Sequence, residues 1–503
     1  MTISNSRTAI VIGSGVAGLA AAVRLAAQGF QVSVLEANSY PGGKLSEIRN
    51  GNYRFDAGPS LFTMPHLVTE LFDLAGKPAK QHFSYQRLPV ICEYFWEDGT
   101  RMAARADQAS FIREMSENLG EAPEKVSRFL DKSRQLYEIT SHVFLHRSLH
   151  RLDTYLSKST MQSMMQLHKL NIFRSMNGAN AGLFCNPKTV QFFNRYATYN
   201  GSDPYRAPAT LNIIPHLENF FGAYFPAGGM YSITQSIYQL ACSLGVKFYF
   251  DVQAEKMLVQ GGRVNGVLAG GESLAADLVV RNMDMVNAYK KLLKDEKQPR
   301  RLMKQPKSSS ALIYYWGIKK SFPQLDLHNI FFSQHYREEF DCLFNRQTLY
   351  HDPTVYINIS SKLAPADAPA GCEHWFTMVN APNNSGQDWD RLVAETRRHI
   401  IKKLSRMLGE NVENLIETED VLDPRLIESR TSSSQGALYG NSSNNPFAAF
   451  LRHPNFSPWI KNLYFCGGSV HPGGGIPLSL LSAKIVGDLV EKSFKASRKH
   501  MNN

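Results

Sequence analysis

Cysteine is scarce in this chain and is spread thinly along it. The 503 residues include six cysteines, with no C-x-x-C pair and no histidine cluster at the spacing of metal ligands. A disulfide redox pair and a zinc site therefore have no support in the sequence. We expect a protein of the reducing cytoplasm that holds no metal.

Long uncharged runs are also missing. The best candidate for a membrane span, Leu463 to Ala483, is broken by five glycines and two prolines. A helical span needs about 20 predominantly apolar residues, so we expect none in this chain. The apolar run from Ala9 to Val23 is not expected to be a secretory signal, because only Arg7 supplies charge before it and its glycines fit a different motif.

Acidic residues are outnumbered by basic ones, which gives a formal net charge of +11. Such an excess favours an anionic partner, and part of it lies between Ser141 and Met176, where five basic residues interleave with apolar ones beside the single acid Asp153. This composition is typical of helices that lie on a membrane, and equally of ordinary helices with a solvated basic face. Nucleic acid is not an expected partner, since the chain has no zinc-finger spacing, no RNP-like aromatic motif and no concentrated Lys/Arg tract.

Glycine, by contrast, is placed informatively near the start. The segment Ala9 to Ala22 predicts a buried strand, a glycine turn and the beginning of a helix. Gly13, Gly15 and Gly18 form a G-x-G-x-x-G pattern, in which Gly13 permits the tight turn, Gly15 lets the backbone approach a pyrophosphate and Gly18 lets the helix pack on the strand. The segment therefore predicts a nucleotide cofactor bound at a helix N-terminus.

A second strand, Gln31 to Leu35, ends directly before Glu36, which follows Gly13 by 23 residues. A carboxylate at this distance accepts hydrogen bonds from the ribose hydroxyls of a dinucleotide and repels a 2′-phosphate, which disfavours NADP. No other G-x-G-x-x-G pattern follows a strand, since Gly261 to Gly271 is better explained as a hairpin. The sequence therefore indicates no separate NADH site.

The remaining pattern predicts two interleaved domains, with a nucleotide-binding domain assembled from the first, middle and last thirds of the chain. Its predicted parts are residues 1–74, 220–298 and 425–503, while residues 75–219 and 299–424 form a substrate-binding and membrane-associating domain. We expect strands Val264 to Ala269 and Leu278 to Val280 to return to the first domain, and Pro299 to Pro306 to be a basic linker. Further on, Ala311 to Ile318 and Val355 to Ile359 predict sheet, whereas Trp389 to Leu408 and Leu478 to Phe494 predict helices.

Two loops resemble those of a known superfamily. Pro41-Gly42-Gly43-Lys44 and Phe55-Asp56-Ala57-Gly58 are similar to the G-G and F-D-x-G elements of the amine-oxidase-like flavoproteins. The C-terminal segment from Asn462 to Pro477 resembles the signature of the bacterial-type phytoene desaturases. Pro226 to Met230, Ala276 to Asn282 and Ala311 to Gly317 also resemble this family, so the resemblance covers nearly the whole chain.

Three positions depart from the family pattern. Val470 stands where Thr or Ala is usual, and Gly474 where a small non-glycine residue is usual. Lys44 replaces the more frequent Arg, so a point charge stands in place of a planar fork. The contact of this loop with FAD is therefore expected to differ from that of an arginine-bearing relative.

The resemblance implies an α/β fold, in which a Rossmann-like FAD-binding domain is interleaved with a mixed α+β substrate domain. It places the flavin ring under the loop Gly467 to Pro477, with Gly58 to Leu61 near its other side. The residues implied to contact FAD are Gly13, Gly15, Val16, Ala17, Gly18, Glu36, Ala37, Gly42, Gly43, Lys44, Gly58, Pro59, Ser60, Leu61, Ala254, Asn282, Gly467, Gly468, Gly475, Ile476 and Pro477.

The implied activity is desaturation of a long polyene, because the family comprises carotenoid desaturases. The segments Ala57 to Pro65, His82 to Tyr85 and Cys92 to Trp96 are most similar to those of the hydroxycarotenoid 3,4-desaturases. Removal of a hydride equivalent to flavin N5 and of a proton would create the double bond, with oxygen or a quinone as the final electron acceptor. No residue is predicted to be catalytic; His471 is the one candidate base, although a histidine before Pro-Gly more often serves structure.

Other activities stay open on the sequence. A phytoene- or lycopene-type desaturase and a carotene cis-trans isomerase that uses reduced FAD share these motifs. The Rab GDP-dissociation inhibitors share the fold without a flavin, but the intact Gly42-Gly43 and His471-Pro472-Gly473 elements argue against that class. A carotenoid lives in the bilayer, so we expect a cytoplasmic protein bound peripherally to the inner face of the cell membrane.

Overall fold

The computed structural model describes residues 7–141, 145, 147–151, 154, 166, 172–445, 447 and 452–501. Its strands, in chain order, are β1 Thr8–Ile12, β2 Gln31–Leu35, β3 Glu47–Asn50, β4 Tyr53–Asp56, β5 Tyr85–Arg87, β6 Val90–Phe95, β7 Arg101–Arg105, β8 Tyr224–Pro226, β9 Lys247–Tyr249, β10 Ala254–Gln260, β11 Arg263–Ala269, β12 Glu272–Ala275, β13 Leu278–Arg281, β14 Ser310–Ile318, β15 His328–Phe331, β16 Val355–Asn358, β17 Glu373–Ala381, β18 Ile416–Leu422 and β19 Leu463–Phe465.

The same residues also form α-helices. They are Val16–Ala27, His66–Leu74, Gln108–Leu119, Pro123–Thr140, Met176–Ala181, Pro187–Asn194, Ile214–Asn219, Tyr231–Ser243, Met285–Lys291, Arg300–Met303, Tyr336–Asp341, Trp389–Leu408, Pro424–Thr431 and Ile476–Met501. Most of the predicted membrane-binding block between Ser141 and Met176 lies outside the described residues.

A parallel five-stranded sheet in the order β19-β13-β1-β2-β9 forms the centre of the nucleotide-binding part. The buried helix Val16–Ala27 packs against the helices Ile476–Met501 and Tyr231–Ser243 in the core of this part. Strands from the first, middle and last parts of the chain thus share one sheet, which confirms the predicted α/β class. The exact domain boundaries stay predictions.

Two local segments add detail to the predicted pattern. The strand β11 pairs antiparallel with β10 and β12 in a separate three-stranded sheet, because short turns at Gly261-Gly262 and Gly270-Gly271 reverse the chain. Its Val264 and Val267 pack in one cluster with Ile10 and Ile12 of the parallel sheet, and its assignment to the first domain stays a prediction. The predicted linker Pro299 to Pro306 contains a short helix, Arg300–Met303. A proline before the first helical turn is compatible with that helix, since the turn needs no N–H from it.

The second part is built on a mixed seven-stranded sheet in the order β18-β14-β17-β16-β15-β6-β7. Alternate residues of β14, the second strand from one edge, face opposite sides, as period-two alternation requires. Leu312, Tyr314 and Trp316 pack with the helix Trp389–Leu408, whose predicted bounds match those observed. Ala311 and Ile313 face the other side, where the sheet forms one wall of a large cavity.

Candidate functional site

The carboxyl ends of four adjacent parallel strands meet at one edge of the first sheet. Gly13 follows β1, Glu36 follows β2, Asn282 follows β13 and Gly467 follows β19 by one further residue. The backbone N–H of Gly13 donates to Leu35 O at 2.8 Å. Ligands of open parallel sheets bind at this edge, outside the ends of the strands.

One cavity of about 1050 Å³ begins at that edge. Its wall contains every residue that the sequence placed on FAD except Gly18. A Cβ at Gly18 would lie 2.0 Å from the carbonyl oxygen of Gly13 and 3.1 Å from the Asn282 Cβ, so only glycine fits there. Gly18 therefore serves the close packing of helix on strand that its place in the motif predicts.

A helix N-terminus in the cavity wall is suited to bind an anion. The helix Val16–Ala27 begins at Gly15 without a side-chain cap, although Val16 and Ala17 lie in the cavity wall. The first N–H groups of a helix have no partner within the helix and favour negative charge. The residues at this end therefore fit the pyrophosphate of a dinucleotide such as FAD.

Glu36 is buried and held firmly in the cavity wall. One carboxylate oxygen accepts hydrogen bonds from the backbone N–H and the hydroxyl of Ser14, both at 2.7 Å. The other accepts from the backbone and side-chain nitrogens of Asn38, both at 2.9 Å. These bonds fix the carboxylate at the strand end, where a ribose-binding acid is predicted. Asn38 also lines the cavity, and the sequence reasoning did not single it out.

Lys44 lies in the same wall and is bonded to backbone rather than to another side chain. Its ammonium group donates to the carbonyl oxygens of Leu438 at 2.9 Å and Ala437 at 3.4 Å. Burial lowers the pKa of Lys44 to about 8, and the carboxylate of Asp284 partly opposes that shift. Lys44 thus ties the G-G loop to the segment before Tyr439.

Two of the family-like motifs have a structural role. Asp56, in the F-D-x-G element, accepts hydrogen bonds from the backbone N–H groups of Met230 and Tyr231 at the start of a helix, and it pairs with Arg54 at 2.9 Å. A Cβ at Gly474 would lie 2.5 Å from the ring of Tyr439. The Tyr439 ring therefore leaves no room for a side chain at Gly474.

His471 lies in the cavity wall as a neutral ring. Its Nε2 is 2.9 Å from the carbonyl oxygen of Arg147, which can only accept, so the proton resides on Nε2. Burial lowers the pKa of His471 to about 3. Nδ1 is then a lone-pair acceptor of low basicity near neutral pH, and a catalytic role for His471 stays a prediction.

The cavity continues away from the nucleotide-binding edge into the second part of the molecule. Apolar side chains supply most of this region, among them Ile91, Leu145, Leu211, Ile213, Ile214, Leu217, Ile330, Phe376 and Met378. This long, largely apolar space can hold an extended hydrocarbon and exclude water from it.

The far end also contains buried polar groups that sequence reasoning missed. Arg195 and Glu218 form an ion pair at 3.2 Å, and Glu218 also accepts a hydrogen bond from Tyr196 at 2.7 Å and one from Tyr199. The guanidinium lies over the Tyr196 ring at 4.2 Å. Buried charges need such partners, but no local sequence pattern announces them.

Comparison with known proteins identifies the family. The family described as flavin containing amine oxidoreductase matches residues 16–490. A 1-hydroxycarotenoid 3,4-desaturase from a Flavobacterium species is 52% identical over 484 residues, which cover 96% of this chain and 99% of that protein. A 4,4'-diapolycopene oxygenase from a Methylomonas species is 34% identical, covering 97% and 99%. A phytoene desaturase from Phycomyces blakesleeanus is 30% identical, covering 96% and 85%.

Solved structures agree on the fold. Cyclohexylamine oxidase from Brevibacterium oxydans superposes with a TM-score of 0.63 at 16% identity, covering 97% of this chain and all of that one. A fatty acid isomerase from P. acnes superposes with a TM-score of 0.58 at 15% identity, covering 97% and 98%. The predicted FAD cofactor and oxidoreductase class are confirmed. The chain belongs to the flavin-containing amine oxidoreductases, within the branch that contains the carotenoid desaturases.

Proposed function

We propose that this protein is an FAD-dependent desaturase that introduces the 3,4 double bond into a 1-hydroxycarotenoid. The observation that carries the proposal is the single cavity that joins the dinucleotide-binding strand ends to a long apolar region. The substrate class follows from the relative that is 52% identical over nearly the full length of both chains. The residues predicted to contact FAD are proposed to do so.

When bound, FAD supplies the two-electron oxidation by accepting a hydride equivalent at N5. The chain supplies binding, orientation and a dry environment for the polyene. Ser60, Leu61, Ile476 and Pro477 all lie in the cavity wall, and we propose that they flank the flavin ring. The apolar wall, including Ile213 and Leu217, aligns the polyene along the cavity.

Anaerobic mixing of the holoprotein with a 1-hydroxylated carotenoid in liposomes tests the proposal. We expect stoichiometric bleaching of the flavin together with a red shift of the polyene absorption. An oxidised flavin beside an unchanged carotenoid would contradict it. Isomerisation that requires previously reduced flavin would identify a cis-trans isomerase, and turnover of phytoene alone would identify a phytoene-type enzyme.

We also propose that oxygen or a quinone reoxidises the flavin, since the sequence indicates no NADH site. Rapid mixing of the photoreduced holoprotein with each acceptor measures this step. Reoxidation by either acceptor at a rate that sustains turnover is expected. Failure with both would require a different acceptor.

We further propose that the protein is cytoplasmic and binds peripherally to the inner face of the cell membrane. Among the described residues, no helix combines the length and apolarity that a membrane crossing requires. The cavity wall includes Thr140 and Leu145, at the border of the predicted membrane-binding block. Phe173, within that block, is 83% exposed, and Phe220 is 63% exposed. Exposed aromatic residues beside basic ones suit a membrane interface.

Liposome sedimentation tests this association. We expect binding that increases with anionic lipid and weakens with salt, because exposed charges are screened. Phe173→Ser should lower the bound fraction. Tyr249→Ser is the matched control, since Tyr249 is an exposed aromatic residue on the nucleotide-binding sheet. Equal binding to neutral and anionic vesicles would contradict the electrostatic part of the proposal.

A further inference from the structure

A chain of three hydrogen-bonded side chains crosses the cavity wall between the two parts of the molecule. The Ser60 hydroxyl lies 2.6 Å from the Tyr356 hydroxyl, which lies 2.7 Å from Nδ1 of His328. All three residues line the cavity. Ser60 belongs to the loop after β4, whereas Tyr356 and His328 lie on the paired strands β16 and β15. The chain therefore connects the predicted flavin-side loop to the substrate sheet.

The direction of these hydrogen bonds follows from Asn358. Its amide nitrogen donates to the carbonyl oxygen of Leu327 at 3.1 Å and lies 3.2 Å from His328 Nδ1. An amide nitrogen can only donate, so we assign Nδ1 as the acceptor and place the ring proton on Nε2, which is buried without a partner among the described residues. Burial, aided by the nearby Arg195 cation, lowers the pKa of His328 to about 3, so the ring is neutral near pH 7.

Tyr356, the nearer donor at 2.7 Å, then donates its one proton to the single lone pair of His328 Nδ1, and Ser60 donates to the oxygen of Tyr356. The Ser60 proton is thereby committed, while its oxygen keeps lone pairs that can accept. Within the described part of the chain, no donor to that oxygen is present. Ser60 is half-buried, so its oxygen is a polar acceptor set into a mostly apolar cavity.

An acceptor in this position recognises a hydroxyl on an otherwise apolar substrate. In a 1-hydroxycarotenoid only two bonds separate C1, which carries the hydroxyl, from C3 of the reacting bond. An anchor for that hydroxyl must therefore lie close to the flavin, as the Ser60 loop is predicted to do. The guanidinium of Arg195, another polar group of the cavity wall, is engaged with Glu218.

We propose that Ser60, oriented by Tyr356 and His328, accepts a hydrogen bond from the C1 hydroxyl of the substrate and thereby sets the C3–C4 bond at the flavin. Ser60 is the contacting residue, and Tyr356 and His328 are positioning residues. The proposal rests on the proposed 3,4-desaturation. It adds a hydrogen bond that selects carotenoids with a C1 hydroxyl over those without one.

The test compares two substrates that differ only in the C1 hydroxyl. For the flavin-loaded wild type, Ser60→Ala, Tyr356→Phe and Ser60→Thr, we would measure kcat/KM and equilibrium binding with each substrate. Ser60→Ala should lower the preference for the hydroxylated substrate about 10-fold, the loss expected for one hydrogen bond. Tyr356→Phe should lower it by a few-fold, because Ser60 remains but is no longer oriented. Ser60→Thr keeps the hydroxyl and should retain the preference.

Tyr314→Phe is the matched control. The Tyr314 hydroxyl donates to the carbonyl oxygen of Val393 at 2.7 Å on the opposite side of the same sheet, and Tyr314 does not line the cavity. Its loss should leave the substrate preference unchanged. If the three side chains only brace the fold, Ser60→Ala and Tyr356→Phe should lower binding of both substrates equally, and this result would overturn the proposal.

The outcome for the wild type separates the two proposals. A wild type that desaturates the hydroxylated substrate, with a preference that Ser60→Ala leaves unchanged, refutes hydroxyl recognition alone. A wild type that does not desaturate this substrate refutes the proposed function and with it the inference. Binding measurements at equilibrium report on the hydroxyl even where a variant turns over slowly.

Discussion

The two ends of the cavity are built in different ways. At the nucleotide-binding end, the backbone supplies most of the binding groups. They are the strand ends, the glycines and the uncapped helix that starts after Gly15. At the substrate end, side chains from separated segments meet, such as Arg195 with Glu218 and Tyr356 with His328. Recognition by backbone requires short motifs that stay together in the sequence. Recognition by side chains requires only that the fold bring them together.

This difference has an energetic consequence. A backbone site is sensitive to added volume, because a new methyl group meets main-chain atoms that cannot move aside. A buried polar site is sensitive to removal of one partner, because the other is left without compensation in a medium of low dielectric constant. Variants at the two ends should therefore fail for different reasons.

The largest effect is expected at the substrate end. Glu218→Gln leaves the guanidinium of Arg195 without its buried counter-charge, and breaking such a pair costs about 3–5 kcal/mol of stability. Urea unfolding of the holoprotein, followed by circular dichroism, measures the change. Asp390→Asn, which removes an exposed partner of Arg425, is the control and should cost less than about 1 kcal/mol. Similar losses of stability in both variants would show that the buried Arg195–Glu218 pair stabilises the fold no more than an exposed pair.

The next effect is expected at the nucleotide-binding end. In Gly18→Ala the new methyl group would meet the Gly13 carbonyl oxygen at 2.0 Å, so the turn must shift at a cost of about 3 kcal/mol. We expect lower flavin content and a lower unfolding midpoint. Gly487→Ala, also within a helix, is the control because its new methyl would meet only side-chain atoms of Arg24 and Gln28, at 3.3 Å or more. Full flavin occupancy in Gly18→Ala would contradict the packing argument.

A smaller effect is expected for Glu36→Ala. Loss of a charged hydrogen bond to the ribose should weaken FAD binding by roughly 1–3 kcal/mol. Flavin release on dilution, followed by fluorescence, measures the affinity. Asn38→Ala keeps the Glu36 carboxylate and removes only the side-chain hydrogen bond that Asn38 donates to it. The loss of FAD affinity should therefore be smaller. Unchanged flavin retention in Glu36→Ala would refute the assignment of Glu36 to the ribose.

The effect that is smallest near neutral pH is a change in acid sensitivity. The pKa of His328 is about 3 in the folded protein, against an ordinary value of 6.5, because burial disfavours the charged ring. The unfolded chain therefore binds the extra proton below pH 6.5, and stability present above that pH is lost as the pH falls toward 3. This group contributes up to about 1.4 kcal/mol per pH unit. In His328→Gln the slope of stability against pH should decrease by that amount, and an unchanged slope would argue against a neutral buried ring.

Prediction from sequence succeeded where the signal was local. The order strand, glycine turn, helix around Gly13 and the acid Glu36 after the next strand predicted the parallel sheet and its binding edge. The helix Trp389–Leu408 was also predicted with its observed bounds, because a long amphipathic run leaves little ambiguity. The glycines between Gly261 and Gly271 likewise predicted a hairpin, and β11 pairs antiparallel with its neighbours β10 and β12 there.

The chemistry of the cofactor end was thus determined by the sequence itself, because glycines and strand ends act through neighbouring backbone. Only the tertiary structure decided the substrate end. In the sequence, 296 residues separate Ser60 from Tyr356, and 28 separate Tyr356 from His328. None of the three belongs to a motif that predicts its hydrogen bonds. Their hydrogen bonds arise from the pairing of β15 with β16 and from the placement of the loop after β4. Such contacts depend on the packing of whole elements, which no short pattern in the sequence encodes.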